Sequence, residues 1–173
     1  MSASLWLTAV TTLASSWAAL PGYRAVGSST AGVTVYVGGQ VDDERNPAGD
    51  TGYVVVGYGG MPGRPTPSGS FTQTRGPMSS AHPRDERAQI RCRIVSQPGD
   101  IVGASVVSAG QTVEGYLHDV EDLLTTNPTL GISAPTSRRF LAELDSGGSW
   151  WLQQTSGGPL AILDVAVTYT ARI

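Results

Sequence analysis

Residues Asp100–Asn127 read DIVGASVVSAGQTVEGYLHDVEDLLTTN, and the spacing of their apolar side chains decides the fold class. Val102, Val106, Ala109, Val113, Tyr116, Leu117, Val120, Leu123 and Leu124 recur every three or four positions and so share one face of a helix. Ser105, Ser108, Glu114, His118, Asp119, Glu121 and Asp122 fall mostly on the other side, toward water. Asp100, just after Pro98-Gly99, is the expected N-cap, and Asn127-Pro128 is a stop signal. Gly103, Gly110 and Gly115 each weaken a helix by roughly 1 kcal/mol relative to alanine, which makes Gly110 a candidate break point. A helix with one apolar face needs a partner layer.

Strand patterns on both sides of the helix supply that layer. Upstream, Ser4–Ala19 reads as an amphipathic helix with Leu5, Trp6, Ala9, Val10, Leu13 and Trp17 on its apolar face, ended by Pro21-Gly22. Its polar face lacks basic residues, which favours core packing over a membrane surface. Val33–Val37 is a short strand, and the continuous apolar run Tyr53–Tyr58 predicts a central strand covered on both faces. Glu86–Ser96 alternates, with Ala88, Ile90, Cys92 and Ile94 facing one way and Gln89, Arg91 and Arg93 the other. Downstream, three strands are expected: Thr136–Leu144, a turn at Asp145-Ser146-Gly147-Gly148, Ser149–Thr155, a second turn, and Leu160–Ala171. The last strand carries one wholly apolar face (Ala161, Leu163, Val165, Val167, Tyr169) suited to packing on a helix. The expected architecture is a single α+β domain over 1–173. It has a mixed, mainly antiparallel sheet, an N-terminal and a central helix on one face, and a C-terminal β-meander.

Composition narrows the chemistry. The chain has 173 residues, 40% hydrophobic and 14% charged, with a net charge of −3. That charge argues against a general nucleic-acid binder. All 11 basic residues are arginine, so a P-loop, a Schiff-base lysine and a Ser-x-x-Lys acylation motif are excluded. One cysteine, Cys92, rules out an intrachain disulfide and a cysteine zinc cluster, and reads as a small buried hydrophobe. Met1–Leu20 is apolar but lacks the basic start of a signal peptide, and no stretch is long and apolar enough to span a bilayer. A cytoplasmic, reducing origin is expected.

Two polar segments stand out. Val41–Asp50 holds Asp42, Asp43, Glu44 and Asp50 without calcium-loop spacing, and reads as a solvated turn. Gly59–Pro83 is rich in Gly, Pro, Ser and Thr and carries Arg64 and Arg75. It reads as a flexible arm, either a loose insertion or a segment that orders against a partner protein. No nucleophile elbow or zinc-protease helix occurs, and the Gly57-Tyr58-Gly59-Gly60 run opens no helix, so it fails as a dinucleotide fingerprint. His82 lies in the arm. His118 has Asp122 as its one helical-spacing partner, too few for a metal site. Catalytic, cofactor and metal sites are therefore all expected to be absent.

From Glu114 onward the order of motifs resembles the tail terminator, or tail-completion, proteins of long-tailed bacteriophages. The motifs are a helix ending in Val120-Glu121-x-x-Leu124, the run Asn127-Pro128-Thr129-Leu130-Gly131, a strand, and the Trp150-Trp151 strand. A Gly-rich turn and the closing Val165-x-Val167-x-Tyr169-x-Ala171-Arg172 strand complete the order. The N-terminal helix and early strands fit the same layout, whereas the 59–83 arm and the carboxylate loop have no counterpart.

The resemblance implies a non-enzymatic virion protein of the tail and neck, assembled in the host cytoplasm and using no cofactor. Such a protein forms a hexameric ring that caps the tail tube, ends its growth and joins it to the head-closure or connector protein. Genomic DNA passes through the lumen unbound, and no membrane is involved. A head-to-tail ring needs two different patches. Charge segregation nominates Arg64, Arg75, Arg91 and Arg93 for one, and Asp42, Asp43 and Glu44 for the other. The competing readings are another neck or tail component such as a head-closure or tail-tube protein, a soluble binding module with the arm as recognition loop, and a small hydrolase built on His118.

Overall fold

The computed structural model describes residues 4–29, 31–38, 52–61, 64–65, 67–75, 84–99, 104–132 and 140–172. Two helices pack on one face of a seven-stranded mixed sheet. Helix α1 spans Trp6–Ala18 and α2 spans Val106–Thr126. The strands are β1 (Tyr23–Ala25), β2 (Val33–Val37), β3 (Gly52–Val56), β4 (Gly60–Met61), β5 (Arg64–Pro65), β6 (Gly69–Arg75), β7 (Arg84–Ser96), β8 (Leu141–Thr155) and β9 (Gly158–Arg172). The sheet runs β1-β2-β3-β7-β9-β8, with β6 also paired to β7, and β4 with β5 makes a separate small hairpin. The pairs β1–β2 and β2–β3 are parallel, and every other pair is antiparallel. This is the expected α+β architecture.

Strand β7 is the axis of the sheet. One of its edges pairs with β9 along Asp85–Ser96, and the other is shared, β6 along Arg84–Ile90 and β3 along Cys92–Ser96. The handover falls at Arg91. Its carbonyl accepts the N–H groups of Gly57 and Tyr58, and its N–H donates to the Ser68 carbonyl. Beside this junction, a Cβ at Gly69 would collide with the Gln89 carbonyl and the Trp6 indole nitrogen, so only glycine lets β6 and α1 both approach β7.

The helix-side core follows the alternation read from sequence. Ala88, Ile90, Cys92 and Ile94 of β7 join Ala161, Leu163, Val165, Val167 and Tyr169 of β9 beneath Ala9, Val10, Leu13 and Trp17 of α1 and Ala109, Val113, Val120 and Leu124 of α2. Strand β3 is buried at all of its positions, since Tyr53 and Val55 form a second cluster with Tyr58 and Val95 on the other face. Where α1 begins, the fully buried carboxylate of Glu86 accepts from Ser4 Oγ (3.1 Å), the Leu5 N–H (3.0 Å), Gln73 Nε2 (2.7 Å) and the Tyr169 hydroxyl. It completes the N-terminus of a helix that has no side-chain cap of its own. Burial and the hydrogen bond to Glu86 both push the Tyr169 phenol up.

Four sequence expectations change. Helix α2 starts at Val106, capped by Ser105, because Ser105 and Ser108 exchange side-chain and backbone hydrogen bonds in a capping box; Asp100 and Val102 lie outside the described residues. Gly110 causes no break, since it is buried beside β8, where a Cβ would stand 3.5 Å from Leu152 Cδ2. The 59–83 arm is not free over its length, because Gly69–Arg75 forms β6 and pairs with β7. The expected three-stranded meander is a two-stranded hairpin. Asp145-Ser146-Gly147 is a bulge rather than a turn, for pairing passes from Leu144↔Val167 directly to Gly148↔Val165 and β8 continues. The start of the expected 136–144 strand lies partly outside the described residues.

The Glu86 hub makes a stability test. Glu86→Ala leaves the buried Tyr169 hydroxyl and the half-buried donors of Ser4, Leu5 and Gln73 without this acceptor and should lower unfolding free energy by about 2–4 kcal/mol. Urea denaturation followed by tryptophan fluorescence reads this directly, and a loss within experimental scatter would contradict the assignment.

Candidate functional site

The face of the sheet opposite the helices carries the polar chemistry. Alternation places Arg87, Gln89, Arg91 and Arg93 of β7 on it, beside Asp164 and Ala166 of β9 and Ser149, Trp151 and Gln153 of β8. Arg93 and Asp164 face one another in register and form a two-pronged ion pair, Nε to Oδ1 at 2.6 Å and the second prong to Oδ2 at 2.7 Å. The guanidinium lies 3.9 Å from the ring centre of Tyr58, with Trp151 at 5.8 Å. Burial works against the charge of Arg93, but the hydrogen bonds and charge of Asp164 outweigh it, and the pKa of Arg93 is raised. Arg93 stays charged.

A hollow of about 680 Å³ opens next to it, lined by Tyr58, Gln89, Arg91, Arg93, Asp145, Ser149, Trp151 and Gln153 among others. It opens at the β8 bulge, where Asp145-Ser146-Gly147 stand opposite Ala166 and the two small residues Gly147 and Ala166 leave the surface low. On its rim Asp145 accepts from Gln89 Nε2 (3.3 Å) and the Gly147 N–H (3.4 Å).

The sequence-nominated residues separate. Arg91 is exposed on this face, while Arg93 is only 9% exposed and occupied within the chain, so it is neither a solvated arginine nor one offered to a partner. Arg64 sits on β5, and Arg75 on β6 opposite Arg84; their side chains, like all of Asp42, Asp43 and Glu44, lie outside the described residues. The structure thus brings Arg91 and Arg93 together and does not decide the acidic patch. His118 is exposed and meets Glu121 at 3.4 Å rather than Asp122. Among the described residues no three His, Cys, Asp or Glu side chains gather as a metal site, and no helix is long and apolar enough to cross a membrane. His82 lies outside the described residues.

Sequence reading missed Asp164, Tyr58 and Asp145. Asp164 is the one charge in the otherwise apolar Leu160–Val167 run, a signal that something pairs with it, but its partner is 71 positions away. A second feature was visible only as a pair of tryptophans. Among the described strands β8 is the last of the sheet, and on it Trp150, Trp151 and Leu152 are 43%, 48% and 54% exposed. From Ser146 to Thr155 this edge has no charged residue and no proline, the usual guards against edge pairing.

Two outcomes test these placements. Asp164→Ala strands the Arg93 charge and should cost about 3–5 kcal/mol of stability, while Arg93→Met combined with Asp164→Leu should recover most of it; chemical denaturation of the three proteins measures both. Cys92 is buried and its thiol is pushed up to about 12, first by desolvation. It should resist a thiol reagent in the folded protein at pH 8 and react once urea unfolds the chain. Above the unfolded thiol pKa near 9 the unfolded chain sheds this proton and the folded one keeps it, so stability should fall as pH rises toward 12.

Compared with known proteins, the chain matches no family model and no curated sequence.

Proposed function

We propose that this chain is a structural virion protein that closes as a ring on the end of a phage tail tube, stops its growth and joins the tail to the head connector. The observation that carries the reading is the uncharged apolar edge of β8 around Trp150–Leu152. An exposed apolar strand edge of this kind marks a protein–protein contact. Among the described residues the opposite side of the sheet ends differently, in the short β1 and in β6. One subunit therefore offers two unlike edges, as a head-to-tail ring requires. The motif order from Glu114 onward supports the same reading, and the net charge of −3 suits a conduit that DNA must traverse without being gripped. The role is assembly, with no reaction assigned to it.

The alternative within the same class is another neck or tail part, and the product of assembly separates the two. Light scattering and negative-stain images of purified protein should show discrete rings with a mass near six times 18.0 kDa. Long rods would identify a tube subunit instead. A monomer that also fails to bind tail-tube ends would overturn the reading. Trp150→Glu should abolish rings while leaving the melting temperature within about 2 °C, as for a surface substitution.

A further inference from the structure

The hollow on the helix-free face has an unusual balance of committed and uncommitted groups. Its carboxylates are occupied from within: both oxygens of Asp164 by Arg93, and those of Asp145 by Gln89 and the Gly147 N–H. Around them, Arg91, Ser149 and Gln153 are exposed, and their side chains make no hydrogen bond or ion pair with any described residue. Every one of these open groups is a donor, and Arg91 adds a full positive charge. Trp151 presents an indole, 48% exposed, on the same wall. The volume of about 680 Å³ falls in the roughly 300–1,000 Å³ range of small-ligand sites.

We propose that this hollow binds a monocarboxylate carried on a flat apolar body, with the carboxylate on Arg91 and the flat body against Trp151.

The charge of the lining sets the ligand's charge. Arg91 and Arg93 balance Asp145 and Asp164, so the site holds one open cation over two fixed carboxylates. The four charges cancel, so a monocarboxylate on Arg91 adds one uncompensated charge to the lining and a phosphate dianion adds two. The planar fork of arginine suits a carboxylate. Register sets Arg91 beside Ala166 and Trp151 beside Ile162, four positions along β9, so their backbones stand about 16 Å apart, and both side chains line the one hollow. The hollow needs no assembly to exist, since every residue named belongs to one chain, and the inference is independent of the ring reading.

Benzoate is the probe, followed by the Trp151 indole N–H signal in a ¹H–¹⁵N correlation spectrum, assigned with Trp151→Phe among the 4 tryptophans. Saturable shifts at Trp151 in the millimolar range are expected, with no response to benzamide or inorganic phosphate. Arg91→Gln should weaken benzoate at least about tenfold, because a hydrogen bond to a charged group is worth more than a decade in affinity. Arg91→Lys should retain part of the binding, and Arg87→Gln, exposed on the same strand but outside the hollow, should change nothing. A short peptide ending in phenylalanine distinguishes the source: tighter binding than benzoate identifies a chain terminus, equal or weaker binding a free small acid. Absence of saturable shifts, or shifts unchanged in a folded Arg91→Gln protein, would overturn the proposal.

Discussion

A carboxylate buried out of reach of solvent holds the corner where four elements meet. Glu86 is fully buried on β7 and has no cation beside it among the described residues; hydrogen bonds from α1, β6 and β9 take the place of solvent. A bare buried carboxylate would be expensive, so each donor that leaves raises the cost of keeping the rest in place. The arrangement works because the positive end of α1 points at the charge. It also fixes where α1 can start, since Leu5 and Ser4 reach Glu86 only when Trp6 opens the helix and its indole reaches the Gln89 carbonyl (3.3 Å). Glycine at position 69 lets β6 slide under that indole. The helix, the edge strand and the central strand are thus fitted to one another at a single point.

The two faces of the sheet then divide the work. On the helix side the alternating apolar residues of β7 and β9 make a continuous core. On the other side the same two strands place Arg93 against Asp164, and the pair is held by Tyr58 as well as by its own charges. The bulge in β8 belongs to this second face. It removes side chains from one spot of the sheet surface while keeping the strand paired beyond it, and so creates a hollow without ending the hairpin. A true turn at Asp145–Gly148 would have reversed the chain and left β9 with a short partner. Instead β8 runs on to Thr155 and carries Trp150–Leu152 out along an edge that no other described strand covers. One local irregularity therefore underlies both the concavity and the apolar edge.

Much of the architecture was legible from periodicity. The packing face of α2 follows from three- and four-residue spacing, and the buried faces of β7 and β9 follow from period two, because each of those signals depends only on local geometry. The burial of Cys92 follows in the same way. Errors arose where a local signal has two tertiary outcomes. Asp-Ser-Gly-Gly serves a turn or a bulge equally well, and the choice lies with the partner strand. Gly110 weakens an isolated helix but stays helical once α2 is packed on the sheet beside Leu152. The polar composition of β6 hid a strand that is held by its pairing with β7 rather than by burial of its side chains.

By itself the sequence determined the class of fold, the apolar faces of both helices and of β7 and β9, and the exclusion of lysine- and disulfide-based chemistry. These are properties of residue type and spacing, which need no knowledge of what lies across the sheet. Only the tertiary structure decided that Arg93 is internal while Arg91 is open, that Asp164 is the partner, and that Glu86 caps a helix some eighty residues away. Strand register makes those decisions. Two charges on one face of a strand look alike in sequence, and which of them is neutralised depends on the residue that the neighbouring strand sets opposite it.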